Sequence, residues 1–231
     1  MDQQMSLHAI ISYDDTLNDH DGLMFGRVLG ELGTKLTLAY VRHSTRERPE
    51  HEQVEGHAAE ALLERGATWL EDPNVDRRVV VSASTGDGLN WLAQQEHADI
   101  VVFGSDYRTS TGHISIGRSA QRLLERGPAA VALAPAGYQS RQADINTIGV
   151  LPGSADESAI ETAFSLAGRL EATVVDRADN VDLLIVGSRS ESPEGRVTLS
   201  SRSQNAIEEA MSPVLVVARG VALHFETLVT A

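Results

Sequence analysis

Two stretches of the chain read as one pattern written twice: DIVVFGSDYRTSTGHISIGRSAQRLLERGPAAVALAPAG at 99–137 and DLLIVGSRSESPEGRVTLSSRSQNAIEEAMSPVLVVARG at 182–220. They align without a gap at an offset of 83. Asp99 falls on Asp182, Gly104 on Gly187, Ser105 on Ser188, Gly112 on Gly195, Gln121 on Gln204, Glu125 on Glu208 and Gly137 on Gly220. A second match lies upstream at an offset of 138, with Ile10 on Ile148, Gly30 on Gly168 and Leu32 on Leu170. The second copy is therefore the first with 55 residues removed from its middle. A repeat on this scale decides the architecture, because each copy must fold as a related unit.

Working outward, hydrophobic periodicity supplies the elements. In the first copy, strands are expected at 8–13, 36–41, 77–84, 99–104 and 129–135. Helices are expected at 22–33, 52–71, 87–97 and about 117–126. Residues 99–104, DIVVFG, form a nearly continuous apolar run, as a strand covered on both faces requires. Strand and helix alternate throughout, which makes the fold α/β, a doubly wound, Rossmann-like parallel sheet. The second copy offers TIGVL, ESAIETAFSLAGRL, ATVVD, DLLIVG, SQNAIEEAM and PVLVVA, four strands where the first has five. The domain boundaries are placed at 1–140 and 141–231.

Composition narrows the function. The formal net charge is −14 and the sequence pI about 4.9. An acidic surface repels phosphate backbones and anionic lipid, so neither nucleic acid nor membrane is expected as a partner. With no cysteine, disulfides, thiolate metal sites and thiol catalysis are excluded. The N-terminus MDQQMSLHAI lacks a cationic leader, and no window reaches the roughly 18 apolar residues of a span, so a cytoplasmic location is expected. His43, His51 and His57 show no metal-ligand spacing. Trp69 and Trp91 lie on apolar helix faces and are expected in the core. Neither a nucleophile elbow nor a Walker-type loop is present, and an enzyme is not expected.

The loop GSDYRTSTGHISIGRS (104–119) resembles that of the universal stress protein superfamily in its tandem two-domain form. Nucleotide-binding members of that family carry G-x2-G-x9-G-[S/T] after the fourth strand. Here Gly104, Tyr107, Gly117 and Arg118 keep the spacing, while Tyr107 and Arg118 depart from the residue types. AIISYDDT resembles the first strand, with Asp14 at the position of an acid that holds ribose or adenine. LTLAYV resembles the second strand, whose end, Val41, would lie against adenine. The resemblance implies strand order 3-2-1-4-5 in the first copy, a reduced four-strand version in the second, and pairing of the copies through their last strands. It also implies a non-enzymatic stress-response regulator or adaptor, with room for a homodimer.

The loop has a physical reason to hold phosphate: a helix start offers unpaired N–H groups and partial positive charge. The candidate binding residues are Asp14, Val41, Gly104, Gly112, Gly117, Arg118 and Ser119, and the candidate cofactor is ATP or AMP, with no metal beyond the Mg accompanying ATP. Binding would order residues 105–118. A left-handed Tyr107 would cost about 1–2 kcal/mol. Two readings stand side by side here: a nucleotide site of altered affinity, and a loop whose glycines serve only the strand-to-helix turn. The second makes the chain a nucleotide-free interaction module of the same family; a slow nucleotide hydrolase ranks last. In the second copy Gly187 remains, Ser190 and Ser200 replace the other glycines, Ser201 matches the Ser/Thr position, and Pro152 falls where Asp14 lies. Asp15 reads as a turn former. The link 176–181 is short for a parallel crossover.

Overall fold

A computed structural model of the chain describes residues 6–43, 49–140, 144–153 and 157–225, and for residues 49–55 it describes the backbone alone. The first half alternates β1 (His8–Ser12), α1 (Asp19–Glu31), β2 (Lys35–His43), α2 (Pro49–Trp69), β3 (Asp76–Ser82), α3 (Thr85–Gln95), β4 (Ile100–Phe103), α4 (Arg118–Leu124) and β5 (Ala130–Leu133). The second half follows with β6 (Thr147–Val150), α5 (Glu157–Leu170), β7 (Thr173–Val175), β8 (Leu183–Val186), α6 (Ser201–Glu209) and β9 (Val214–Val216). A 3-10 turn at Tyr138–Ser140 leads from one half to the other.

The nine strands make one sheet in the order β3-β2-β1-β4-β5-β9-β8-β6-β7. Pairing is parallel within each half and antiparallel only where β5 meets β9. The first half thus has order 3-2-1-4-5, and the second repeats it without the third strand. At the seam Ala132 faces Leu215, with Val131 on Val216 and Leu133 on Val214. Ala132 and Leu215 are counterparts at the repeat offset of 83, so an approximate two-fold axis runs through this pair. Joining the halves here removes two apolar edges that would otherwise template aggregation.

Two cores cover the two faces of the sheet. On one face Leu23, Phe25 and Leu29 of α1, Leu63 of α2 and Leu166 of α5 pack against alternate strand residues. On the other, Leu89 and Leu92 of α3, Leu123 of α4 and Ile207 of α6 do the same. Central β4 and β8 are buried along their whole length, which is why their sequences lack polar alternation.

The ladder corrects the upstream alignment by one residue. Ile10 pairs with Val101 and Gly149 with Leu184; since Val101 and Leu184 are counterparts, Gly149, not Ile148, takes the place of Ile10. On the helices, α1 approaches the sheet through Gly22, Gly26 and Gly30, where added Cβ atoms would meet Gly104 N, Ile11 Cδ1 and Leu36 Cδ1 within 3 Å. Helix α5 presses down with buried Ala159, Ala163 and Ala167, whereas Gly168 has nothing within 4 Å. The shared Gly30–Gly168 letter is coincidental; the shared feature is a stripe of small residues.

Gly149 also explains the short crossover. Seven residues, 176–182, join β7 to β8, and at about 3.3–3.6 Å each they can reach about 24 Å. The lateral step across β6 is two strand spacings, about 9.5 Å. The link lies on the sheet itself: a Cβ on Gly149 would come 2.4 Å from the Arg177 carbonyl oxygen and 2.9 Å from Val181 Cγ1. Where the first half spends a helix, a strand and another helix, the second lays a loop over a glycine. The two tryptophans are also corrected. Trp69 and Trp91 are 51% and 54% exposed: Trp69 is the last residue of α2, and α3 turns Leu89, Leu92 and Ala93 to the core rather than Trp91.

Candidate functional site

The site residues are best built from the loop after β4, because it is reproduced after β8. Ser105 Oγ donates to the Ala134 carbonyl at 2.8 Å, and Ser188 Oγ to Val217 at 2.7 Å. The Gly112 N–H donates to Ala136, as that of Gly195 does to Arg219. Asp106 N reaches Ser115, and Arg189 N reaches Thr198. Gly112 and Gly195 hold φ of +89° and +71°, Gly137 and Gly220 of +81° and +69°. The loop backbone is therefore one structure used twice, held by its own hydrogen bonds.

Several candidate residues acquire internal duties from this. The Gly112 N–H is spent inside the loop. A Cβ on Gly104 would lie 1.9 Å from the Asn18 carbonyl oxygen, so that glycine is required by the contact between the β4 end and the α1 start. Tyr107 is not among the positive-φ residues, and the strain anticipated for it is absent. It is 60% exposed, with the Arg108 guanidinium 4.9 Å from its ring centroid, and it fills no cleft.

Gly117 is different. Its backbone, φ −67° and ψ 159°, suits any residue, and an added Cβ would find nothing within 4 Å. It is the N-cap of α4, and no side chain caps that helix. Its counterpart Ser200 has nearly the same backbone, φ −83° and ψ 160°, and its Oγ accepts the Ser203 N–H at 3.0 Å. One helix start is closed by its own serine; the other is left open. Arg118 is exposed and forms no ion pair among the described residues.

Asp14 and Val41 come together in a second place, a cleft of about 510 Å³ at the carboxyl ends of β1 and β2. Thr16, Tyr40, Arg42, His43 and Thr85 add polar groups to its lining, and His43 Nε2 lies 3.1 Å from Thr85 Oγ1. Thr85 begins α3, and the next residue, Gly86, abuts the Ser119 carbonyl and the Arg122 side chain of α4. The cleft and the open helix start thus adjoin across the first turn of α3. A larger hollow of about 640 Å³ lies at the other end of the strands, lined by the ion-paired Arg27, Glu71, Lys35 and Asp76. Ligands of open α/β sheets bind at the carboxyl ends, and the smaller cleft is the candidate.

Electrostatics around Asp14 was not legible in the spacing. The Asp19 carboxylate accepts the N–H groups of Asp14 and Thr16, both at 3.0 Å. Burial first, and the neighbouring Asp14 carboxylate second, push Asp19 up to about 8. Asp15, read as a bare turn residue, sits at φ +65°. Its carboxylate accepts the Tyr13 hydroxyl at 2.7 Å and two Arg65 N–H groups at 2.9 and 2.7 Å. The Tyr13 bond, then Arg65, hold it below the usual carboxylate range. This clasp ties α2 to the turn that presents Asp14. The signal available in the sequence was only the pair of consecutive aspartates. No group of three His, Asp or Glu able to hold a metal occurs among the described residues; the His51 side chain lies outside them.

Residues 24–135 match the model of the universal stress protein family. The match covers 112 of the 231 residues. No curated protein matches the chain. Among solved structures, a universal stress protein from Archaeoglobus fulgidus DSM 4304 superposes with a TM-score of 0.59 at 14% identity, covering 92% of this chain and 98% of its own. A functionally unknown protein from Pseudomonas aeruginosa PAO1 gives a TM-score of 0.56 at 11% identity, covering 94% of both chains. At these identities the likeness is one of fold, and it extends over both halves. Among the described residues, no helix is long and apolar enough to cross a membrane.

Proposed function

We propose that the chain is a two-domain universal stress protein, divided at about residue 140, that regulates through partners and senses an adenine nucleotide in its first domain. Gly117 carries this reading. Neither backbone conformation nor packing asks for glycine there, and a serine at the same place in the other half closes its helix. An uncapped helix start beside a cleft leaves N–H groups for an anion.

The chain's own residues divide the task. Asp14 accepts hydrogen bonds from ribose hydroxyls, Val41 offers an apolar surface to the base, and the first N–H groups of α4 receive phosphate. Exposed Arg118 adds a guanidinium suited to bidentate phosphate contact. A Mg ion would arrive with ATP, held by phosphate and water. Because the 105–118 loop is already hydrogen-bonded, binding costs little loop ordering, and the readout is a change of surface at the cleft mouth. Among the described residues no general base is assembled with an activated nucleophile, and the proposal includes no chemical step.

The nucleotide-free reading retains support from Gly104 and Gly112, whose roles are internal. Calorimetric titration with ATP separates the two. Saturable binding at one site per chain, lost in Asp14→Ala and in Gly117→Val, supports the sensor. Absence of heat at millimolar ATP with the fold intact refutes it. Gly117→Val is a fair test because open space surrounds that position.

A further inference from the structure

The middle segment missing from the second half includes the counterpart of α3, and the surface that α3 covers in the first half remains there as a groove. In the first half Leu89, Leu92 and Ala93 of α3 join Leu123 of α4 and Ala98 in one core cluster. Leu123 is 0% and Ala98 7% exposed as a result. Their counterparts at the offset of 83 are Ala206 and Val181, and both line a groove of about 420 Å³. Ala210, Met211 and Pro213 extend its apolar wall, and Met211 is 59% exposed. Alanine stands where the first half has Leu123, so the helix side of the groove is left shallow, while Val181 replaces the smaller Ala98 at the link. The link over Gly149 supplies one wall and leaves the rest open.

The first half shows what shape such a surface takes: a short helix with leucines at i and i+3 and a small residue at i+4. The rim shows the charge, with Asp179 and Glu209 at the groove on a chain of net charge −14. A second copy would bring the same acidic rim and the same net charge against it, and its own α3 is already packed. We propose that this groove docks a short amphipathic helix of a partner protein, with the apolar spacing of α3 and lysine or arginine on its flanks. Helix-in-groove recognition reads such i, i+3, i+4 anchors, and charge complementarity selects the partner. The inference stands independently of nucleotide binding.

The test is a fluorescence-anisotropy titration of the full chain into a labelled synthetic helix of three to four turns, with Leu, Leu and Ala at the α3 spacing and lysine at the outward positions. A scrambled peptide of equal composition is the control. Saturable one-to-one binding is expected, with the scrambled peptide at least about tenfold weaker because it presents no apolar stripe. Glu209→Lys should weaken binding about 2- to 5-fold, the range of one rim charge pair. Ala206→Arg should abolish binding by filling the floor; if that variant fails to fold, Met211→Lys at the exposed wall serves in its place. Equal binding of the scrambled peptide, or unchanged affinity in the groove variants, would overturn the proposal. So would loss of peptide binding as the chain self-associates through this face at rising concentration.

Discussion

The loops 104–119 and 187–202 teach more together than either does alone. They share serine-to-carbonyl bonds, a left-handed glycine and a second left-handed glycine beyond the last strand, so all of that belongs to the architecture. Their helix starts differ: Gly117 leaves α4 uncapped and Ser200 caps α6. Subtracting one loop from the other removes the glycines that a motif alone would credit to a ligand. It leaves one glycine that the fold does not need.

The largest expected effect tests the shared architecture. Gly104→Ala drives a Cβ to 1.9 Å from the Asn18 carbonyl oxygen, where backbone must move, and should cost about 3 kcal/mol in urea denaturation. Next come Gly112→Ala and Gly195→Ala, each forcing a left-handed alanine at a cost of about 1–2 kcal/mol. The two losses should be similar, and a loss in one half alone would break the equivalence of the loops.

Asp19→Asn tests the electrostatics of the turn that presents Asp14. An acid whose folded value is raised costs stability as pH climbs from its unfolded value of about 4 to its folded value of about 8. The unfolded chain releases the proton first, so stability falls across that window. Asparagine can still accept from Asp14 and Thr16, and the variant's stability relative to the parent should grow steadily from low to neutral pH in urea melts. A constant difference would remove the burial argument. The smallest effects are at the caps themselves. Ser200→Ala should cost about 1 kcal/mol, whereas Gly117→Ser should stabilise by only a few tenths; thermal melts of the pair measure both.

Much of this fold was legible because two physical signals agreed: periodicity located the elements, and the gapless repeat fixed how they recur. The continuous apolar runs at β4 and β8 could belong only to a sheet covered on both faces. The reading slipped where identical letters stood in for equivalent roles. Gly30 matched Gly168, yet the packing stripe is Gly22, Gly26 and Gly30 against Ala159, Ala163 and Ala167, since any small side chain allows close approach. The crossover on Gly149 was not legible, because a glycine in a strand does not reveal which segment lies over it. Around the candidate site, Asp14 and Val41 could be placed by resemblance. Asp19, Thr85 and the Asp15–Arg65 clasp could not, since their roles arise from contacts between elements distant in sequence.

The most direct test of the open-versus-closed comparison is amide chemical-shift mapping of the full chain titrated with ATP. The account expects saturable shifts at residues 117–120 and around Asp14 and Val41, with residues 200–203 unmoved. Shifts confined to 200–203, or none in either loop at millimolar ATP, would contradict it.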